Sequence, residues 1–447
     1  MADGRNDGPA SRSERAAEAK RKALANEQRL VALGDAVDGR EPVAPKPRRS
    51  KRSRRRRTVV IVGVVIVGLI VALLGGGYLY ANWRFNQIKK IQVSGEVKPI
   101  SGQPFNILSI GSDSRAGLTG AVAAQTGAST GAVTGQRSDV VKIIHVDPAK
   151  GTISMLSIPR DTMTTLLANT AIYGKFNRIN VNFGNGPSLL AQTITANFGI
   201  PIANTIVVSF GGLINAAEAI GGVYLDFPFP AKDPFSGLNI KHPGCQLVTG
   251  FEALAVARSR HYYWFQNGVW NYDGTSDFGR IDRQNAFLRA MISRAKGLYN
   301  PLTINSFLSK IPQGITLDSN FTLNELIGLA LRFHGLNPAS IQTFTLPTTS
   351  AVTPLLGDVL FVDQPLAQEM LVNIFGNQLI APTNPPPNAA LQTPMPPVVT
   401  TSTTLAGVTT TLAGSPTSVK ATHKPTTTTT VNASAQVPYF DPVPCTP

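Results

Sequence analysis

The chain has 447 residues and a formal net charge of +15, so it is long enough for two or three domains and basic enough to suggest a nucleic-acid partner. Most of that excess is local, because residues 1–57 hold 17 Lys and Arg against eight Asp and Glu. This local distribution of the charge argues against a nucleic-acid-binding fold. It leaves DNA binding by the basic arm (residues 1–57) only as an alternative.

An apolar segment follows the basic arm directly. From Val59 to Tyr80 the chain has 22 residues without a charge, and roughly 20 are enough to cross the hydrocarbon core of a bilayer. The apolar core of a cleaved signal peptide is only about 7–15 residues long. Basic residues keep their side of a span cytoplasmic. We therefore expect a disordered or briefly helical cytoplasmic arm (1–57), an uncleaved anchor (58–80) that crosses the cell membrane once, an extracytoplasmic remainder and a juxtamembrane linker (81–102).

The central region alternates between two hydrophobic periods. Short apolar and β-branched runs predict strands at Phe105–Ile110, Val140–Val146, Thr152–Ile158, Thr205–Ser209 and Val223–Phe227. Helical periodicity predicts helices at Ser188–Phe198, Leu213–Ile220, Phe251–Ala257 and Asp282–Ala295. This alternation is typical of an α/β layered sheet.

The C-terminal third divides into two parts. Residues 298–382 predict a helix near Leu323–Phe333, a strand near Ile341–Leu346 and a helix near Pro365–Phe375, and we expect them to pack on the preceding domain. Residues 383–447 are dominated by Thr and Pro, which predicts a disordered tail. The two cysteines, Cys245 and Cys445, both fall in the exported part, where disulfides persist. Their spacing alone leaves open whether they pair.

Charged residues recur where the predicted strands end. Asp113 and Arg115 follow the first strand, Arg137 and Asp139 lead into the second, and Arg160 follows the third. Ligands of open α/β sheets collect at strand ends. Two carboxylates on neighbouring strands can share one Mg²⁺, and a guanidinium can hold two phosphate oxygens at once. The pattern indicates a site for a phosphate ester and a divalent cation.

Two further arginine groups lie on either side of an aromatic segment, Tyr262–Asp273. Arg258 and Arg260 follow a predicted helix, and Arg280, Arg283 and Gln284 share a spacing that places them on one helix face. Asp277 is either a catalytic group or the N-cap of that helix.

These segments resemble the LytR-CpsA-Psr family of wall-polymer ligases over about residues 103–297. Six segments match in family order, namely Asn106–Arg115, Arg137–Asp139, Ser157–Thr162, Ile220–Val223, Ala257–Arg260 and Asp277–Gln284. The resemblance implies an α-β-α sandwich with a mixed central sheet, preceded by one transmembrane helix. It also implies a phosphotransferase that moves a glycopolymer from a polyprenyl-pyrophosphate carrier to a sugar hydroxyl of peptidoglycan.

The resemblance assigns roles by position. Asp113 and Asp139 would bind Mg²⁺ or Mn²⁺, and one of them would deprotonate the acceptor. Arg160 and Arg258 would be catalytic, and the pyrophosphate would be held by Arg115, Arg137, Arg260, Arg280, Arg283 and Gln284. The lipid would lie in an apolar groove lined by helices such as Ser188–Phe198.

The sequence departs from the family in the aromatic insertion Tyr262–Asp273 and after the third motif, at Thr162–Thr164. These departures leave the polymer and the acceptor open. Two alternative functions also remain at this point. One is a non-catalytic wall-binding scaffold, and the other is an envelope-linked transcription regulator.

Overall fold

A computed structural model describes residues 12–37, 51–115, 118, 120–126, 138–296, 301–388 and 438–446. The chain divides into two units, residues 1–77 and 78–447. In the first, helix α1 spans Arg12–Val37 within the arm where we expected disorder or a short helix. Helix α2, Lys51–Phe85, contains a segment, Val60–Phe85, long and apolar enough to cross a membrane.

The second unit is a mixed α/β domain. Its strands are β1 Lys89–Ile91, β2 Phe105–Ser112, β3 Ser138–Asp147, β4 Thr152–Ile158, β5 Met163–Thr165, β6 Phe176–Arg178, β7 Asn204–Val208, β8 Val223–Phe227, β9 Ala231–Asp233, β10 Leu238–Ile240, β11 Gly244–Val248, β12 Tyr263–Gln266, β13 Val269–Tyr272, β14 Ile315–Asp318, β15 Gln342–Thr345, β16 Thr348–Thr353, β17 Gly357–Val362 and β18 Val443–Pro444. The sequence placed the main strands correctly to within a few residues.

The remaining helices flank these strands. They are α3 Gly120–Thr126, α4 Thr170–Tyr173, α5 Pro187–Phe198, α6 Phe210–Ala219, α7 Gly250–Arg258, α8 Asp277–Ala295, α9 Pro301–Lys310, α10 Leu323–Phe333 and α11 Gln364–Phe375. Short 3₁₀ turns lie at Ile179–Asn185, Pro338–Ser340 and Gly376–Gln378. Helix α8 begins at Asp277, five residues before the predicted start.

The central sheet has seven strands in the order β1-β14-β7-β2-β3-β4-β15. Strands β2, β3 and β4 are antiparallel neighbours, whereas β7 runs parallel to β2 and β15 parallel to β4. The mixed central sheet confirms the expected fold class. Residues 298–382 do more than pack on this sheet, because β14 and β15 are hydrogen-bonded members of it.

Strand alternation separates two layers around this sheet. Leu108, Ile110, Val141 and Ile143 point into a core shared with α5 and α11. The residues between them face the other side, where α6, α7 and α8 enclose a cavity lined from the sheet by Ser109, Gly111, Val140 and Lys142. The same alternation that builds the core therefore also supplies the floor of the cavity.

The last residues of the chain return to the domain as a C-terminal strap (residues 438–446). Strand β18 pairs with β8, and Cys445 is joined to Cys245 in a disulfide that links positions 200 residues apart. Phe440 stacks on Trp264 with ring centroids 4.0 Å apart. The part of the predicted disordered tail from 389 to 437 lies outside the described residues.

Candidate active site

The two predicted metal-binding aspartates lie at one edge of the central sheet. Gly111 pairs with Val140 and Ser112 with Ser138, so Asp139 is the extra residue of a β-bulge. A bulge bends its strand and redirects a side chain. Asp113 follows the partner strand directly and is 9% exposed. Sequence reasoning predicted the strand ends but not the bulge that redirects Asp139.

A cavity of about 310 Å³ opens beside this edge. Its mouth is marked by four lining residues that are polar or charged and partly exposed, namely Asp139, Arg258, Arg260 and His261, whereas the lining residue Arg280 is buried. The rest of its lining is mainly apolar, although it also includes the buried Lys142 and Asp233; the apolar residues are Val208, Phe210, Leu213, Leu254, Phe287 and Leu288. The arrangement suits a molecule with an anionic head and an apolar chain.

The helix expected to line an apolar groove lies elsewhere. Leu190, Ala191 and Ile194 of α5 are buried in the core on the opposite face of the sheet. Helices α6, α7 and α8 line the cavity instead. Helix α5 therefore does not line this cavity, and apolar helical periodicity alone could not indicate which face of the sheet it covers.

Two arginines hold Asp139 in place. Arg160 Nη1 donates to the Asp139 carboxylate at 2.6 Å, and Arg280 Nη2 donates to the Asp139 backbone oxygen at 2.6 Å. Burial raises the pKa of this carboxyl, but the charges of Arg280 and Arg160 outweigh burial and keep the pKa below its usual value. Asp139 is therefore ionised and fixed in orientation.

Arg258 has a buried donor that the described residues leave without a hydrogen-bond partner. Its guanidinium lies over the Phe210 ring at 4.9 Å, and its Nη1 is buried without a hydrogen-bond partner among the described residues. Burial and the neighbouring charge of Arg115 lower its pKa, whereas Asp139 and Asp113 raise it. Both predicted carboxylates and Arg115 thus lie within electrostatic reach of this donor, although neither Asp113 nor Arg115 lines the cavity.

Asp233 fixes the loop that carries these arginines, and sequence reasoning missed it. Its buried carboxylate accepts from Ser259 Oγ at 2.8 Å and from the backbone N–H groups of Arg260 and His261, each at 2.9 Å. Burial raises the pKa of Asp233, but these hydrogen bonds outweigh burial and lower it. The only sequence signal is an Asp-Pro pair, which predicts a turn rather than a site.

Asp277 is not the N-cap of α8. Ser276 occupies that position, and Asp277 is the first residue of the helix. Its Oδ1 lies 2.8 Å from Arg280 Nη2 and 3.1 Å from Arg260 Nε. It therefore joins the two arginine groups that the aromatic insertion separates in sequence.

Arg283 is not brought to the cavity. It is fully buried, with Nη1 2.9 Å from Asp273 and 2.6 Å from Asp441 of the C-terminal strap. Its guanidinium lies 4.5 Å from the centroid of the Tyr262 ring. These partners hold Arg283 between the aromatic insertion and the strap, so it does not line the cavity, and its contact with pyrophosphate stays a prediction.

The remaining predicted residues differ in placement. Gln284 lines the cavity but donates to the Ala257 backbone oxygen at 2.9 Å, which secures the end of α7. Arg137 lies outside the described residues.

Comparisons with known proteins show which family the chain belongs to. The sequence profile described as the LytR_cpsA_psr family matches residues 80–374. The chain belongs to this family. The match confirms the resemblance seen in the sequence and extends it to include β14, β15 and most of α11.

Individual relatives agree in kind. The chain is 29% identical over 293 residues to the "Probable cell wall biosynthesis protein LcpB" of Corynebacterium glutamicum, which covers 64% of this chain and 65% of that protein. It is 28% identical over 291 residues to the "Polyisoprenyl-teichoic acid--peptidoglycan teichoic acid transferase TagV" of Bacillus subtilis, covering 62% and 67%. A "LytR-Csp2A-Psr enzyme from Actinomyces oris" shares the fold, with a TM-score of 0.51 at 19% identity over 66% of this chain and 97% of that one. The chain thus spans about two thirds of the length of these curated relatives.

The donor set of this LytR_cpsA_psr chain fits a divalent cation only together with a ligand. No group of three or more His, Cys, Asp or Glu residues converges within the described part of the chain. Magnesium is commonly held by one or two carboxylates, with phosphate and water completing its shell. The two aspartates at the sheet edge, one of them kept ionised by arginines, meet that requirement.

A buried lysine lies beneath the site and was also missed. Lys142 on β3 lines the cavity floor, and its Nζ donates to Ser157 Oγ and Asn285 Oδ1, each at 2.6 Å. Burial lowers its pKa to about 7, opposed by the charge of Asp282. Its neighbours in an apolar strand gave no sequence signal that this lysine would face a polar interior.

Proposed function

We propose that this chain is a membrane-anchored extracytoplasmic phosphotransferase that moves a glycopolymer from a polyprenyl-pyrophosphate carrier to a sugar hydroxyl of peptidoglycan. Family membership supports this proposal, as does the transferase activity for which the relative TagV is named. The observation that carries it is the cavity itself, in which a cationic mouth leads into an apolar interior. A pyrophosphate attached to a prenyl chain has the same two halves.

The arginines would bind and neutralise the pyrophosphate. Arg258 offers a buried donor without a partner among the described residues, while Arg260 is one quarter exposed and shares Asp277 with Arg280. Phosphoryl transfer depends chiefly on positioning and charge neutralisation. A site rich in guanidinium groups therefore suits this reaction.

The two carboxylates would have different tasks. The acceptor hydroxyl attacks the phosphorus that carries the glycan, its proton passes to a carboxylate, and the bond to polyprenyl phosphate breaks. Because arginines hold the pKa of Asp139 low, Asp139 is a poor base. We assign proton removal to Asp113 and orientation of the phosphates to Asp139.

A divalent cation completes the proposal. Asp113 and Asp139 would hold Mg²⁺ or Mn²⁺, which supplies positive charge against the pyrophosphate oxygens. Arg160 fixes the Asp139 carboxylate through its 2.6 Å hydrogen bond to one oxygen, and the other oxygen would serve the cation.

The test uses the full chain in lipid nanodiscs with a polyprenyl-pyrophosphate-linked glycan, peptidoglycan and MgCl₂. We expect polyprenyl phosphate to be released and the glycan to be transferred, and EDTA to stop both. Asp113→Asn should abolish turnover, whereas Asp358→Asn, an exposed aspartate outside the cavity, should not. A normal rate in Asp113→Asn or Arg160→Ala protein would refute the site assignment.

Two observations on cells separate the alternatives. Full complementation by Asp113→Asn protein would favour a non-catalytic wall-binding scaffold. Protection of the residues beyond Trp83 from protease added to intact cells would favour a cytoplasmic regulator.

A further inference from the structure

One small sheet has an unusual outer face. Strands β10, β9, β12 and β13 form a four-stranded sheet whose β12 and β13 come from the aromatic insertion Tyr262–Asp273. One face is ordinary core, where Trp264 packs on Phe440. The other face carries rings in two cross-strand pairs, Tyr263 with Tyr272 and Phe265 with Trp270.

These four residues, with Lys232, form what we call the aromatic platform. The ring centroids are 5.0 Å apart in the first pair and 5.3 Å apart in the second. Phe265 is 37% exposed, Trp270 42% and Tyr272 47%. The outer face of an antiparallel sheet is normally polar. An exposed row of rings instead indicates a binding surface.

The platform is continuous with the candidate active site. Tyr263 pairs with Lys232 on β9, and Lys232 immediately precedes Asp233, the residue that fixes the Arg260 and His261 backbone. The chain then runs from His261 at the cavity mouth to Tyr263 within two residues. The platform is therefore linked to the cavity mouth both along the chain and through β9.

Lys232 gives the platform a polar element. Its Nζ lies 3.9 Å from the centroid of the Trp270 ring and 6.0 Å from that of Tyr263. Because Lys232 Nζ lies over the Trp270 ring, it covers one face of that ring. The neighbouring exposed ring of Tyr272, beside this hydrogen-bond donor, suits a hexose, whose C–H groups stack on a ring face while its hydroxyls accept from the donor. The pairs follow each other two residues apart along the strands, about 6.6 Å, which favours an extended chain of sugars.

We propose that the aromatic platform is a sugar-binding subsite that holds the glycan chain leading to the cavity mouth. The proposal rests on the proposed function, in which both the donor and the acceptor are glycans. The apolar interior of the cavity would take the lipid and the arginines the pyrophosphate. The sugar part would then extend across the rings of Trp270 and Tyr272.

The binding test uses chitohexaose, a soluble sugar chain without lipid or phosphate, added to the full chain in phosphatidylglycerol nanodiscs. We expect saturable binding by isothermal titration calorimetry that weakens at least tenfold in Trp270→Ala/Tyr272→Ala protein. Tyr173→Ala removes an aromatic residue of similar exposure on α4 and should leave binding unchanged. Trp270→Phe keeps a ring and should retain most of the affinity.

The kinetic test asks which glycan the platform holds. The double variant should raise KM about tenfold with little change in kcat, because it removes binding that is uniform between ground and transition states. A rise in KM for the lipid-linked donor is the expected result, whereas a rise confined to KM for peptidoglycan would overturn the assignment of the platform to the donor glycan. Unchanged KM values, or a fall in kcat alone, would overturn the proposal.

Two outcomes keep this inference separate from the proposed function. Chitohexaose binding that requires Trp270 in a protein without transferase activity would support the platform and refute the phosphotransferase. Normal transfer together with chitohexaose binding that does not depend on Trp270 would support the phosphotransferase and refute the platform. Quenching of Trp270 fluorescence by brominated lipids, measured as the difference from Trp270→Phe protein, would place the rings in the bilayer and overturn the sugar proposal.

Discussion

Arg280 and Arg283 lie about one turn apart on α8. Both are buried, but they contact different parts of the molecule. Arg280 contacts the Asp139 backbone and Asp277 at the cavity wall, whereas Arg283 is enclosed by Asp273, Asp441 and Tyr262. Three residues of α-helix rotate a side chain by 300°, so the two point about 60° apart around the axis. The Arg280 side of the helix lines the cavity, and the Arg283 side contacts the aromatic insertion and the C-terminal strap.

The comparison shows why a charged motif does not define a site. Both arginines belong to the segment Asp277–Gln284 that matches the family, and the sequence groups them by spacing. The charge of Arg283 is already neutralised by two carboxylates of the protein, so it is not available to neutralise a ligand. Arg258 has a buried donor with no such partner among the described residues, which suits it to an anionic ligand.

The largest expected effect is on stability, from Arg283→Met. The substitution would leave Asp273 and Asp441 buried beside each other without their cation, which costs about 3–5 kcal/mol of unfolding free energy. Urea denaturation under non-reducing conditions measures it. Arg260→Met should cost less than about 1 kcal/mol, because Arg260 is partly exposed and Arg280 still pairs with Asp277.

A second variant tests whether the loss of stability comes from the two unpaired carboxylates or from general misfolding. Adding Asp273→Asn and Asp441→Asn to Arg283→Met removes the uncompensated charges and should restore part of the lost stability. An Arg283→Met protein of normal stability but without activity would instead place Arg283 in the site.

The sequence predicted the central strands, the helices and the two aspartates at the sheet edge because these depend on local periodicity and strand ends. It could not predict the direction of Arg283, because its partner Asp441 is 158 residues away and in a segment whose composition indicated disorder. It missed Asp233 and Lys142 for a similar reason. Both act through contacts with distant segments, such as Ser259 and Asn285.

On the cavity side, Arg258→Ala should lower the transfer rate by about 10²–10³-fold, the usual loss when one donor to a developing negative charge is removed. Folding should be little affected, since the unpartnered Nη1 contributes no hydrogen bond that the described residues record. Circular dichroism and the nanodisc transfer assay measure the two effects. Arg332→Ala, an exposed arginine outside the cavity, is the matched control. An active Arg258→Ala enzyme would remove this residue from the site.

The strap provides the next prediction. Cys445→Ser opens a link between positions 200 residues apart and should cost about 2–4 kcal/mol of unfolding free energy. Because the strap also carries Asp441, a looser strap should weaken the coupling of Asp441 to Arg283. The stability loss from Arg283→Met should therefore be smaller in the Cys445→Ser background than in the native one. Strictly additive losses would show that the disulfide and the ion pair are independent.

The smallest expected effect is a pH dependence of the unfolding free energy. It distinguishes Lys142, at the polar floor of the cavity, from the ion pairs on the Arg283 side of α8. Burial lowers the pKa of Lys142 to about 7 from its ordinary 10.5, so between those values the unfolded chain holds a proton that the folded chain lacks. Stability should then rise with pH across this window, by about 1 kcal/mol between pH 7 and pH 8, and the charge penalty should be fully present below pH 7. Lys142→Met should remove this slope in urea denaturation at each pH, whereas Lys241→Met, at an exposed position, should keep it. An unchanged slope in Lys142→Met protein would mean that the lysine stays charged through its contacts with Ser157 and Asn285, and the cavity floor would then carry a cation like the mouth above it.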